Sequence, residues 1–141
     1  MNSKTDFGKI IVVLCLGLFL VSCGSAMVQG EKWLDSKKDK PEINISGIWT
    51  SPEWGVAMFK QKEREITGML GDYPAKGVVS GSSIYLLMYS QDSVDYSADL
   101  KSSDNETFKG FYSKYGIIDE VIKDPGYTTR PMSLKKMSAL P

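Results

Sequence analysis

The side chains able to do chemistry in this 141-residue chain are few, and their types exclude as much as they suggest. There is no histidine. Ser-His and Cys-His nucleophile pairs are therefore missing, along with the commonest zinc ligand and the commonest general base. Paired carboxylates or a lysine are the only enzymatic route left, and no motif for catalysis, nucleotide binding or metal binding stands out. The expectation is a protein that is not an enzyme and has neither a cofactor nor a metal. Asp92, Asp95, Asp99, Asp104 and Glu106 offer the hard oxygens that calcium prefers. Their spacing lacks the glycine and terminal bidentate glutamate of a calcium loop, so they read as a solvated acidic face. A second group is aromatic: Trp49, Met58, Tyr96 and Tyr112, extended by Tyr85, Tyr89 and Tyr115. These side chains could line a cavity for an aromatic or acyl ligand, or could be the ordinary packing of strands.

The two cysteines, Cys15 and Cys23, sit in an N-terminal region with the three-part form of an export signal. Lys4 and Lys9 supply positive charge, and Ile10 to Val21 is an apolar run broken only by Gly17. That run is shorter than the roughly 20 residues a helix needs to span the hydrocarbon layer. It ends in Leu20-Val21-Ser22-Cys23-Gly24, which resembles the bacterial lipobox. The resemblance implies that the Cys23 thiol receives a diacylglyceryl group, that cleavage removes the signal peptide 1–22, and that Cys23 becomes the first residue. Each buried methylene of a palmitate-type chain contributes about 0.8 kcal/mol, and two or more chains hold stably where one does not. Gly24 is not aspartate, the residue that retains enteric lipoproteins in the inner membrane. The implied location is the cell envelope, with the outer membrane favoured over the inner in a Gram-negative cell.

Loss of residues 1–22 removes two lysines and one aspartate from 17 basic and 17 acidic residues, leaving 15 and 16 and a net charge near −1. That is no footprint for nucleic acid, which calls for a clustered basic face. Cys15 leaves with the signal and Cys23 is taken by lipid, so the folded part has no thiol and no disulfide. Residues 23–43 read as a lipidated tether, polar and mixed in charge, with Lys37-Lys38-Asp39-Lys40 as a solvated spacer. Trp33-Leu34 departs from that texture. The pair could dock on the domain, dip into the membrane interface or stand exposed.

From Asn44 onward, strand-formers alternate with polar residues, and turn signals recur every eight to twelve residues. The pattern predicts strands at 44–51, 55–62, 65–71, 75–80, 84–89, 94–101, 106–113 and 127–137. Strand six should show Val94, Tyr96, Ala98 and Leu100 on one face. Residues 117–122 read as a short helix or a loop, stopped by Asp124-Pro125-Gly126. Pro131 should place the last strand at an edge or break it. Glu63-Arg64-Glu65 reads as a soluble turn. The sum is an all-β domain, 44–141, built as a small up-and-down antiparallel meander barrel of about eight strands.

Gly47-Ile48-Trp49 looks like the Gly-x-Trp start of lipocalins and avidin-like barrels, and Ile66-Thr67-Gly68 like the Thr-Gly step of the avidin type. Gly77-Val78-Val79-Ser80-Gly81 and Phe108-Lys109-Gly110-Phe111 add strand glycines of the kind that relieve barrel corners. The resemblance implies that Trp49 plugs one end of the core. It also implies a small ligand, or an inhibitor's way of presenting a strand or loop to an enzyme. The chain lacks the long lid loop and the disulfide of typical lipocalins. The expected function is thus a membrane-anchored module binding a small apolar ligand or an envelope protein. The alternative is an inhibitor of a protease or lysozyme working through 71–76 or 114–126. An open pocket beside Trp49 would favour the first and a filled barrel with a projecting loop the second.

Overall fold

The computed structural model describes residues 25–91, 93–121, 126 and 128–137. The segment 1–22 expected to be a signal peptide, Cys23, Asp92, Ile122, Asp124 and Pro125 lie outside the described residues.

Eight antiparallel strands close on themselves in sequence order. They are β1 (Gly47–Ser51), β2 (Gly55–Lys62), β3 (Glu65–Leu70), β4 (Tyr73–Ser80), β5 (Ser83–Ser90), β6 (Ser93–Ser102), β7 (Thr107–Lys114) and β8 (Thr129–Lys136). The expected meander barrel is the observed one. Closure leaves Pro131 in a strand paired on both sides, facing Phe111 of β7, while β1 and β8 pair only through Trp49↔Lys136 and Thr50↔Lys135. The sheet is thus thinnest at the seam where the chain's first and last strands meet.

Alternate residues of every strand point inward, and the interior is filled by their side chains. Trp49, Phe59, Ile66, Leu70, Leu86, Leu100, Phe108 and Leu134 are among those buried there. Room for them comes partly from three inward-facing glycines. A Cβ on Gly68, Gly77 or Gly110 would stand 2.0 Å or less from a backbone carbonyl of the neighbouring strand. These are the places where a small barrel turns its corners.

The main departure from the sequence reading lies outside the barrel. Residues 25–36, expected to be part of a polar tether, form a helix, α1 (Ser25–Ser36), laid along the outer face of β4–β6. Trp33 and Leu34 are buried there with Val78, Leu87, Val94, Ile117 and Ile118, so the pair docks on the domain. Gly30 allows the close approach, since a Cβ there would come within 2.8 Å of Leu87 Cδ1. This second layer explains why β5 reads as one unbroken apolar run. Leu86 and Met88 face the barrel interior while Tyr85, Leu87 and Tyr89 face the helix, so both faces are covered.

Arg64, expected in a soluble turn, holds the helix end. Its guanidinium donates to the carbonyls of Lys37 (2.7 Å) and Leu34 (3.0 Å), where a helix leaves acceptors unmatched. Arg64→Ala is expected to cost about 1–2 kcal/mol, mostly as local opening. Hydrogen exchange should quicken in α1 and leave the barrel strands unchanged. Uniform quickening would show that helix and barrel open together.

Residues 116–121, after β7, fold back over the same face. Ser97 Oγ donates to Gly116 O (2.6 Å) and accepts from Ile118 N–H (2.9 Å), setting a one-turn helix, α2 (Ile118–Val121). Asp119 there accepts from Trp33 Nε1 (2.8 Å) and from Lys37 Nζ (2.6 Å). Half-buried Asp99 is held above the usual carboxylate range, first by desolvation, then by nearby Asp119, with Lys37 acting in opposition. Asp99 thus binds its proton more readily folded than unfolded, which favours the fold at low pH and is lost as pH rises through the folded value. Asp99→Asn should raise Tm at pH 7, with the difference disappearing as the pH falls below the carboxylate range. A Tm difference constant across that range would remove Asp99 ionisation as the cause.

Candidate functional site

The two ends of the barrel differ in kind. At the end holding the β2–β3 and β4–β5 turns, Trp49 is fully buried, packs edge-on to Phe108 (5.2 Å between centroids) and donates from Nε1 to Ile45 O at 2.8 Å. The Trp49 indole fills the core at that end.

The opposite end is where the aromatic residues gather. Trp54 leaves the β1–β2 connection just before Gly55, whose φ of 81° lets the chain reverse there. It settles among Tyr73 at the start of β4, Tyr96 of β6 and Tyr112 of β7. Its centroid lies 5.6, 4.8 and 5.1 Å from those rings, each met nearly edge-on. Beside it opens a cavity of about 520 Å³ whose walls include Trp54, Tyr96, Tyr112 and Tyr115, with Lys114 and Arg130 at the side. That volume suits a small organic ligand.

The polar groups of this mouth fall into two kinds. Glu53 is occupied, accepting from the Ser51 hydroxyl (2.8 Å) and the Ser133 N–H (3.4 Å). Trp54 Nε1 is buried and makes no hydrogen bond. Lys114 Nζ lies 4.5 Å from the Tyr115 ring and 5.9 Å from that of Tyr96. A hydrogen bond with Tyr115 comes first among the causes that hold Lys114 above the usual lysine value. Tyr73 is raised as well, chiefly because its hydroxyl is hydrogen-bonded to Tyr96. The site can therefore offer ring faces and two cations.

The residues singled out from sequence are thus divided. Tyr96 and Tyr112 share the mouth, and Tyr115 is exposed at its rim. Trp49 belongs to the opposite plug. Met58 does not face a cavity with the others. It follows inward-facing Ala57, points outward and is 54% exposed. Tyr85 and Tyr89 lie beneath α1. Trp54 and Tyr73 were missed because they stand beside turns, where alternation carries no inward or outward signal.

The described parts of the two loops expected to project, 71–76 and 114–126, lie on the barrel. Residues 73–76 belong to β4, leaving a two-residue turn, and 115–121 fold back on the barrel wall. Among the described residues no cluster of three or more Asp, Glu, His or Cys could hold a metal ion, and no helix is long and apolar enough to cross a membrane. A larger groove of about 680 Å³ between α1 and β3–β4 is lined by charged residues, of which Glu31 and Lys76 form an ion pair and Arg64 holds the end of α1. No protein-family model, curated protein or solved structure matches the chain.

Proposed function

We propose that this chain is a cell-envelope lipoprotein, anchored through acyl chains on Cys23, whose barrel binds a small, largely apolar molecule or an apolar side chain of an envelope protein. The work is recognition rather than catalysis. The observation that carries the reading is the mouth built around Trp54, Tyr96 and Tyr112, with Lys114 and Arg130 flanking it. A flat apolar body would exchange water for ring faces at about 25 cal/mol per Å² buried. A carboxylate at its edge would meet Lys114 or Arg130, which fixes orientation.

The anchor and the pocket are tested separately. The intact protein should fractionate with membranes and carry the mass of the diacylglyceryl group, and Cys23→Ser should release it. Native mass spectrometry of the detergent-extracted protein should find a bound small molecule that is lost in Tyr112→Ala. An empty mouth in the wild type would overturn the small-ligand reading and leave the protein partner.

A further inference from the structure

We infer that the tyrosine-lined mouth is the end of the barrel held against the membrane, its aromatic rim seated among the lipid headgroups. This rests on the anchoring of Cys23 proposed above and adds an orientation that anchoring alone does not supply.

The argument begins with the direction of α1. Trp33 packs edge-on against Tyr85, 5.6 Å between centroids, while Gly30, one turn earlier, lies against Leu87. Met27, one turn earlier again, joins the same outer cluster as Tyr89. The helix therefore runs antiparallel to β5. Its last carbonyls are held at the plugged end by Arg64, and the Asp39 N–H donates to Ser80 Oγ there (3.0 Å). Its first residue points to the mouth. From Gly30 to Ser25, five helical residues advance about 7.5 Å. From Leu87 to the end of β5 at Ser90, three strand residues advance about 10 Å. Ser25 is thus roughly level with the mouth.

Cys23 precedes Ser25 by two residues, and a chain spans at most about 3.6 Å per residue. The acylated position is therefore within about 7 Å of a helix terminus that the barrel itself positions. A free tether of twenty residues would let the domain tumble. With Trp33 and Leu34 buried, only a two-residue leash remains, and the barrel end beside it must stay near the lipid.

The chemistry of that end suits the place. Tyr115 is 69% exposed, and Trp54, Tyr96 and Tyr112 are part-exposed beside it. Amphipathic rings favour the membrane–water interface. Charge contributes little, because Lys114 and Arg130 are offset at the same end by Glu53, Asp72 and Asp95. A basic residue near an anionic surface is worth about 1 kcal/mol, and each acid opposes it. Seating should therefore be as firm on neutral phosphatidylcholine as on anionic lipid. The competing surface is the outward row Ile48, Met58 and Met69, joined in register across β1–β3. It lies on strands that α1 does not cover, away from the anchored terminus.

In the lipidated, cleaved protein Cys15 has left with the signal peptide and Cys23 is acylated, so one introduced cysteine carries a fluorophore uniquely. Thr128→Cys marks the mouth, Met58→Cys the apolar row and Lys62→Cys the plugged end, all at exposed positions. Each labelled protein is placed in phosphatidylcholine vesicles containing a lipid with a nitroxide on its headgroup. The expected result is at least twofold quenching at 128, little at 58 or 62, and no dependence on salt. Stronger quenching at 58 or 62 than at 128 overturns the orientation, as does equal weakness at all three in a protein whose diacyl mass is confirmed. A protein lacking that mass overturns instead the anchor on which the inference rests.

Discussion

Trp49→Ala is expected to remove about 3–5 kcal/mol of stability, the cost of emptying a large buried aromatic site. Three losses combine. The indole is wholly buried, its edge-on contact with Phe108 disappears, and the carbonyl of Ile45 is left buried without the donor it now accepts from at 2.8 Å. Domains of this size hold only about 5–15 kcal/mol in all, so the variant should be partly unfolded at 37 °C. Trp49→Phe separates the terms. It keeps most of the apolar contact but orphans the same carbonyl, for a cost of about 1–3 kcal/mol. Urea unfolding followed by circular dichroism measures both. Equal midpoints for Trp49→Phe and wild type would show that the Ile45 hydrogen bond contributes nothing net.

Gly110→Val should be comparably damaging for the opposite reason. A Cβ at this position falls 1.9 Å from Asp99 O and 2.9 Å from Leu100 Cα, both backbone atoms of β6. No rotamer change relieves a clash with backbone, so β6 and β7 must separate across a ladder that runs from Tyr96↔Lys114 to Ser102↔Phe108. Overpacking of this kind typically costs about 1–3 kcal/mol, and a branched residue against a carbonyl belongs at or above the upper end. Gly55 supplies the contrast. Nothing lies within 4 Å of a Cβ there, and only its positive φ of 81° resists substitution. Gly55→Ala should therefore cost about 1–2 kcal/mol. If the two variants unfold at the same urea concentration, close strand approach at Gly110 is not what requires glycine.

Much of the barrel was legible in the chain because strand alternation and turn residues are local signals. The turns at Lys62-Glu63-Arg64 and Gly81-Ser82 fall where expected, and the glycines at 77 and 110 sit at corners. Strand six shows where a local signal fails. Its pattern placed Val94 with Tyr96, yet a bulge opposite Met88/Tyr89 turns Val94 to the outer face, under α1. One extra residue reverses the parity of everything beyond it, and nothing in Ser93-Val94-Asp95 marks the position.

The helix was illegible for a related reason. Residues 25–36 mix polar and charged side chains with apolar ones in near-equal number. They look solvated when taken alone, and only Trp33 and Leu34 hint otherwise. The stability of the helix comes from a surface supplied by β4–β6, residues far away in sequence. By itself the sequence determined a histidine-free chain whose two cysteines both precede the barrel, with a lipobox-like motif at Cys23 and a meander of eight strands, since composition and period-two patterning need no partner to be read. Tertiary structure alone decided which aromatic residues meet. Trp49 and Trp54 are five residues apart but belong to opposite ends, because one sits within β1 and the other beyond the turn. Only closure of the barrel brings Tyr73, Tyr96 and Tyr112, from three strands, around the second of them.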